Sequence, residues 1–236
     1  TGRKKVIVVT GGPGTGKSVI AVQVVGAAAR GGYSVAHATG SKAFTTNLRG
    51  VVGGNADAVF RYTHNFRDAR PNEVDLIVCD EAHRLRQKTQ FGPRIYSYKP
   101  QAEEIITAAK VSVFLLDQQQ NVRMNETGSA WGIKDYAESQ GVDVSTYDLD
   151  TQFRCAGSDS YIRWVESALG LGGNLSMAWQ VNQEYDVRIC NHIEEMEAAV
   201  RAKSAEGNSA RLVAGFCWPW SDPMPDGSLV HDVKIG

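Results

Sequence analysis

An α/β fold built on a parallel sheet is what this sequence of 236 residues predicts, and three observations predict it. Short apolar runs rich in β-branched residues recur at Lys5 to Thr10, Val74 to Cys79 and Val111 to Leu116, the signature of strands buried on both faces. Stretches that read as helix stand between them. The first run also passes through a glycine-rich segment into a helix and then into a second strand, Tyr33 to Ala38. Such a strand–loop–helix–strand unit is nearly always right-handed, so the sheet it starts is parallel.

The glycine-rich segment is Gly11-Gly12-Pro13-Gly14-Thr15-Gly16-Lys17-Ser18, which fills the phosphate-binding pattern G-x-x-x-x-G-K-[ST] at every fixed position. A strand that feeds such a turn and then a helix, here Val19 to Arg30, aims backbone N–H groups and the positive end of the helix dipole at one point. Glycine is needed because a Cβ would obstruct both left-handed backbone angles and the close approach of an anion. Pro13 stiffens the turn, Lys17 brings a mobile charge to the outer phosphates, and Ser18 is placed to offer its hydroxyl to Mg²⁺.

Composition sets outer limits. The length suits one large α/β domain or two smaller lobes, and 42% hydrophobic with 22% charged residues is ordinary for a globular protein. A formal net charge of −1 means that any nucleic-acid site is a local groove and not a basic face. Cys79, Cys155, Cys190 and Cys217 form no C-x-x-C pair, so neither zinc nor a disulfide framework is suggested, and a reducing, cytoplasmic setting fits. No apolar run is long enough to span a bilayer. The chain opens almost on its first strand and is expected to be a piece of something longer.

Past the second strand come Thr39, Ser41 and Lys42, at the strand edge where open α/β sheets bind ligands. These residues suit either a nucleic-acid phosphate or the cap of an ordinary helix. From Asn47 to Phe66 the pattern is broken by Gly50, Gly53 and Gly54, and aromatic and basic residues mix, as in base-stacking surfaces or in a surface helix with one packed side. The strand Val74 to Cys79 ends in Asp80-Glu81-Ala82-His83. Behind a phosphate loop, the first acid is placed to hold Mg²⁺ and Glu81 to polarise the attacking water, with His83 either a structural partner or a sensor. Arg84 to Lys99 reads as an exposed loop and Ala102 to Lys110 as a helix.

The strand Val111 to Leu116 runs into Asp117-Gln118-Gln119-Gln120, where a glutamine can sense a terminal phosphate. Ser129 to Gln140 reads as a helix with Trp131 and Tyr136 in the core, and Val142 to Leu149 as a strand. Thr151-Gln152-Phe153-Arg154-Cys155 then precedes a helix from Ser158 to Leu169, so that Arg154 can point back across a cleft. A strand over Tyr185 to Cys190, an amphipathic helix over Ile193 to Glu206 and a strand over Ala210 to Phe216 restart the alternation as a short second lobe. Trp218-Pro219-Trp220 and the residues after it carry no clear element.

Taken in this order, the motifs Gly11 to Ser18, Asp80 to His83, Asp117 to Gln120 and Thr151 to Cys155 resemble those of superfamily-one helicase-like ATPases, and most closely the Schlafen group-3-like helicase domain. The resemblance covers roughly the whole chain. It implies a RecA-like P-loop lobe over 1–148, a partial second RecA-like lobe over 149–220 and an irregular tail of a truncated lobe over 221–236. It also implies ATP and Mg²⁺ as cofactors: Lys17 and Ser18 on the phosphates and metal, Asp80 on the metal, Glu81 as base, and Gln120 and Arg154 on the γ-phosphate. Thr39 to Lys42 resembles a motif that touches single-stranded nucleic acid, DNA or RNA.

Two departures mark the third motif: Leu116 stands where helicases of this superfamily have glycine, and Asn121 to Met124 replace base-stacking aromatics. The motifs expected beyond Trp218 to Trp220 do not occur before Gly236. The function implied is the ATPase core of a nucleic-acid helicase or translocase, slow in hydrolysis without its second arginine. The alternative is an ATP-dependent switch or scaffold that binds a protein partner or flanking domain. No N-K-x-D motif points to guanine.

Overall fold

The computed structural model describes residues 3–91, 93–117, 120, 128–151, 159–170, 178–179, 186–213, 221–228 and 230. Two compact units divide after Ala178. The first carries the strand β1 (Lys5–Gly11), helix α1 (Lys17–Arg30), β2 (Val35–Thr39), α2 (Lys42–Val52), α3 (Ala56–Val59), β3 (Phe60–Tyr62) and a 3-10 turn at Thr63–Phe66. It continues through β4 (Val74–Cys79), a second 3-10 turn at Ala82–Arg84, β5 (Thr89–Phe91), β6 (Arg94–Ser97), α4 (Gln101–Ala108), β7 (Ala109–Leu116), α5 (Ala130–Ser139), β8 (Asp143–Leu149) and α6 (Asp159–Ala168).

Six strands form one sheet in the order β3-β2-β4-β7-β1-β8, and every neighbouring pair is parallel. Side chains of successive strand residues point to opposite faces, so the central strands must be apolar throughout. Val6 and Val8 of β1, Ile77 and Cys79 of β4 and Phe114 and Leu116 of β7 join one core with Ile105 of α4 and Ile133 and Ala137 of α5. Val9, Val78, Val113 and Leu115 turn to the other face and pack on Ala21 and Val25 of α1. The strand inserted between β1 and β4 sets the phosphate loop and the Asp80-Glu81 pair one strand apart at the same carboxyl edge.

Several expectations are corrected. Trp131 is 76% exposed and not a core residue, because the buried stripe of α5 is Ile133 and Ala137 at i, i+4 and Trp131 stands off that stripe. The segment expected as a loop after Arg84 instead pairs β5 with β6 in an antiparallel hairpin. Over Asn47 to Phe66, where the glycines suggest a broken connection, the chain completes α2 and forms α3 and the sheet-edge strand β3.

The second unit, Trp179–Gly236, carries helix α7 (Ile193–Ala205). Among its described residues there is no strand: residues 186–190 and 210–213, the described parts of the two strands expected there, carry none.

Candidate functional site

At the end of β1 the backbone turns through Gly14 (φ 85°) and Gly16 (φ 86°), a left-handed region that a Cβ would strain. Gly11 is fixed for a different reason: a Cβ there would meet the Thr15 hydroxyl at 2.6 Å. That hydroxyl donates to the Gly12 carbonyl at 3.0 Å and closes the turn. Helix α1 then starts at Lys17 with Gly16 as its cap, no side-chain cap and no acid in its first turn. Its first N–H groups therefore keep their capacity for an anion. The Lys17 ammonium donates to the Gly11 and Gly12 carbonyls at 2.6 Å each, lying across the cradle that it would share with a phosphate.

The acidic pair faces this cradle. Asp80 is buried, and its Oδ1 accepts the Glu81 N–H at 2.9 Å. Its Oδ2 lies 4.0 Å from Nε2 of His37 on β2, which the sequence reading had not singled out. Burial holds the His37 imidazole below its ordinary range, against the pull of the Asp80 charge, and the rings of Phe44 and Phe60 flank it at 5.7 Å. Glu81 adopts a left-handed backbone (φ 54°, ψ 43°), a strained state for a residue with a side chain. Its Oε2 accepts from Nη1 of Arg84 at 3.0 Å. Burial, then the charges of Asp80 and Glu81, push the Cys79 thiol far above its ordinary range, so it is no nucleophile.

His83 is buried and its Nδ1 accepts the Asp117 N–H at 3.2 Å, tying the end of β7 to the turn after β4. Gly128 passes so close to that turn that a Cβ would overlap the Ala82 carbonyl oxygen. Gly14, Lys17, Ser18, Asp80, Glu81 and Gln120 together line a cavity of about 310 Å³. Pro13 and Gly16 complete its loop side. The predicted phosphate, metal and base residues thus meet at one place. Arg154 lies outside the described residues. Among the described residues no cluster of three or more His, Cys, Asp or Glu could hold a metal. The hydroxyl of Ser18 and carboxylate of Asp80 are the hard oxygen donors that Mg²⁺ takes when phosphates supply the remaining ligands.

The residues proposed for nucleic acid separate. Thr39 is buried and its hydroxyl accepts the Ser41 N–H at 3.2 Å. Ser41 caps α2 by accepting the Phe44 N–H at 3.4 Å. Lys42 lines a second cavity, of about 330 Å³, together with Tyr62, His64, Arg84, Arg86 and Gln101. Arg84 and Arg86 escaped the sequence reading; their alternation with apolar Leu85 after the acidic pair was the available signal. No helix of the described residues is long and apolar enough to cross a membrane.

A family model described as Schlafen group 3, DNA/RNA helicase domain, matches residues 4–236. No curated protein matches the chain. Among solved structures it is similar to a DNA replication initiation factor, with 15% identity, a TM-score of 0.34 and 86% of this chain covered. It is also similar to AMPPCP-bound DnaA from Aquifex aeolicus, with 15% identity, a TM-score of 0.31 and 85% covered. The chain spans 56% of the length of each.

Proposed function

The chain belongs to the Schlafen group 3 DNA/RNA helicase domain family, and from that premise we propose that it is the Mg²⁺-dependent, ATP-hydrolysing core of a nucleic-acid helicase or translocase. The observation that carries the proposal is the single cavity shared by Lys17 and Ser18 on one side and Asp80 and Glu81 on the other. Backbone N–H groups of the phosphate loop and the first turn of α1 hold the phosphate oxygens. Lys17 exchanges the two loop carbonyls for the outer phosphates. Ser18 and Asp80 hold Mg²⁺, which when bound offsets the charge that builds on the β- and γ-phosphates.

Glu81 orients the attacking water and accepts its proton, a role worth about 10² to 10⁴ in rate. Gln120, exposed at the rim of the cavity, responds to the γ-phosphate. Arg154 is assigned to the γ-phosphate by the family resemblance of its motif alone. Of Thr39, Ser41 and Lys42, Lys42 is the one whose side chain borders an open cavity, and it carries the contact with a single strand.

The formal charge of −1 favours a second reading, a nucleotide-dependent switch with a protein partner. ATP hydrolysis by the intact protein, measured with and without oligothymidylate or oligouridylate, separates the two. Stimulation by a single strand, with binding that weakens as salt rises, is expected. Hydrolysis indifferent to either strand, with no salt-dependent binding, overturns the helicase reading and leaves the switch.

A further inference from the structure

The second cavity adjoins the first through one side chain. Arg84 lines the cavity of Lys42, Tyr62 and Arg86, and its guanidinium holds the Glu81 carboxylate, which lines the nucleotide cavity. The pair is half-exposed, at 38% for Arg84 and 41% for Glu81, so water and other anions can reach it. Exposed pairs of this kind are weak and exchange partners readily.

The second cavity is built for an anion with a flat appendage. Lys42, Arg84 and Arg86 contribute three cations, and no carboxylate is among the described residues of its lining. Lys42 and Arg86 form no ion pair among the described residues. Tyr62 and His64 stack with ring centroids 5.3 Å apart and planes 7° from parallel. Burial, then the charges of Arg67 and Arg86, hold the His64 imidazole low, so the stack is a neutral planar wall beside the cations.

The floor is fixed by Gln101, which is buried. Its Oε1 accepts from the Thr63 hydroxyl and from the Arg86 N–H, and its amide donates to the Thr89 hydroxyl, at 3.1 to 3.3 Å. One side chain thus locks three separate segments around the opening. Cations beside a flat wall suit a backbone phosphate with its base, the pairing that single-strand sites use.

We propose that this cavity takes a phosphate and adjoining base of a single-stranded nucleic acid, and that Arg84, drawn to that phosphate, releases Glu81 for hydrolysis. The inference rests on the ATPase reading above and adds its regulation. Arg84 is a positioning residue. While its guanidinium is paired with Oε2 of Glu81, the carboxylate is held towards Arg84 and is not free to turn to the attacking water; a phosphate in the second cavity competes for the same donor. The strand then speeds hydrolysis by removing a restraint.

The test measures steady-state ATP hydrolysis by the intact protein with no strand, with oligothymidylate and with charge-matched polyglutamate. In Arg84→Ala the strand-free kcat rises about three- to fivefold, the scale of a half-exposed ion pair, at unchanged KM for ATP, and the strand adds little more. Arg84→Lys, which keeps the charge and loses the fork, falls between parent and Arg84→Ala. In Arg86→Ala, binding of oligothymidylate measured without ATP weakens and its salt slope drops by about 1.

If the parent is stimulated and both Arg84 variants are stimulated by the same factor as the parent, the link to Glu81 is wrong while the helicase reading stands. If no strand stimulates or binds the parent, both readings fall. Equal stimulation by polyglutamate overturns the assignment to nucleic acid and gives the cavity to an acidic polypeptide. Should Arg84→Ala fail to fold, the Arg84→Lys ratio and the Arg86→Ala salt slope decide alone.

Discussion

The imidazole Nε2 of His37 stands 4.0 Å from Oδ2 of Asp80, with the two side chains 1% and 3% exposed. The acid proposed to hold Mg²⁺ is therefore backed by a histidine whose imidazole burial holds below its ordinary range. A neutral ring leaves the Asp80 charge undiminished for Mg²⁺, whereas a protonated one would compete with the metal for it.

Stability should consequently fall with acid. A folded-state pKa held below the unfolded value of about 6.5 means that the unfolded chain binds the extra proton first. The contribution is complete above that value and is lost as pH drops through it towards the folded pKa. His64 shifts the same way, so the two act together. In thermal unfolding between pH 8 and about 5, the parent loses more melting temperature than His37→Asn. Equal slopes would remove His37 from the account.

Lys17→Ala should weaken ATP binding about 10- to 100-fold, the range of a lost charge-assisted hydrogen bond of about 1.5–3 kcal/mol. The Gly11 and Gly12 carbonyls to which it donates can turn to water, so the melting temperature without nucleotide should change little. Titration with a fluorescent ATP analogue and a melting curve read the two effects separately.

Glu81→Gln should keep ATP binding and lower hydrolysis about 10² to 10⁴-fold. The substitution preserves shape and the left-handed backbone while removing the basic oxygen. A variant that hydrolyses at the parent rate would show that another group takes the proton. Chelation of Mg²⁺ should stop turnover in the parent and remove the residual turnover of the variant as well.

The phosphate loop, the acid pair and the central strands were legible because their patterns are local: a spacing of glycines, or an apolar run bounded by polar residues. Lys5–Gly11, Val74–Cys79 and Ala109–Leu116 lie within a residue or two of where the runs place them. What was not legible depends on partners distant in sequence. Phe60–Tyr62 becomes a strand because β2 offers an edge and because the Arg49 guanidinium holds the Phe60 carbonyl. The second cavity closes because Gln101 reaches Thr63 and Thr89, which no periodicity could foretell. His37 looked like one more residue of an apolar strand until β4 placed Asp80 beside it.

Gly128 gives a test of how the end of β7 is held over the site. A Cβ there would overlap the Ala82 carbonyl oxygen and stand 3.0 Å from the His83 Cα, and both are backbone atoms that no rotamer change can move aside. The turn they belong to is itself pinned, by the Leu85 N–H donating to the Ala82 carbonyl at 3.1 Å and by His83 accepting from Asp117. Gly128→Ala must therefore push the segment before α5 away from the acidic turn. A loss of about 1–3 kcal/mol is expected, as for other overpacked sites. The displacement also loosens the hold of His83 on Asp117, three residues before Gln120, so ATP hydrolysis should fall by more than the loss of folded protein accounts for. Denaturant unfolding and turnover per folded molecule measure the two parts, and an unchanged unfolding midpoint would mean that the backbones do not approach this closely.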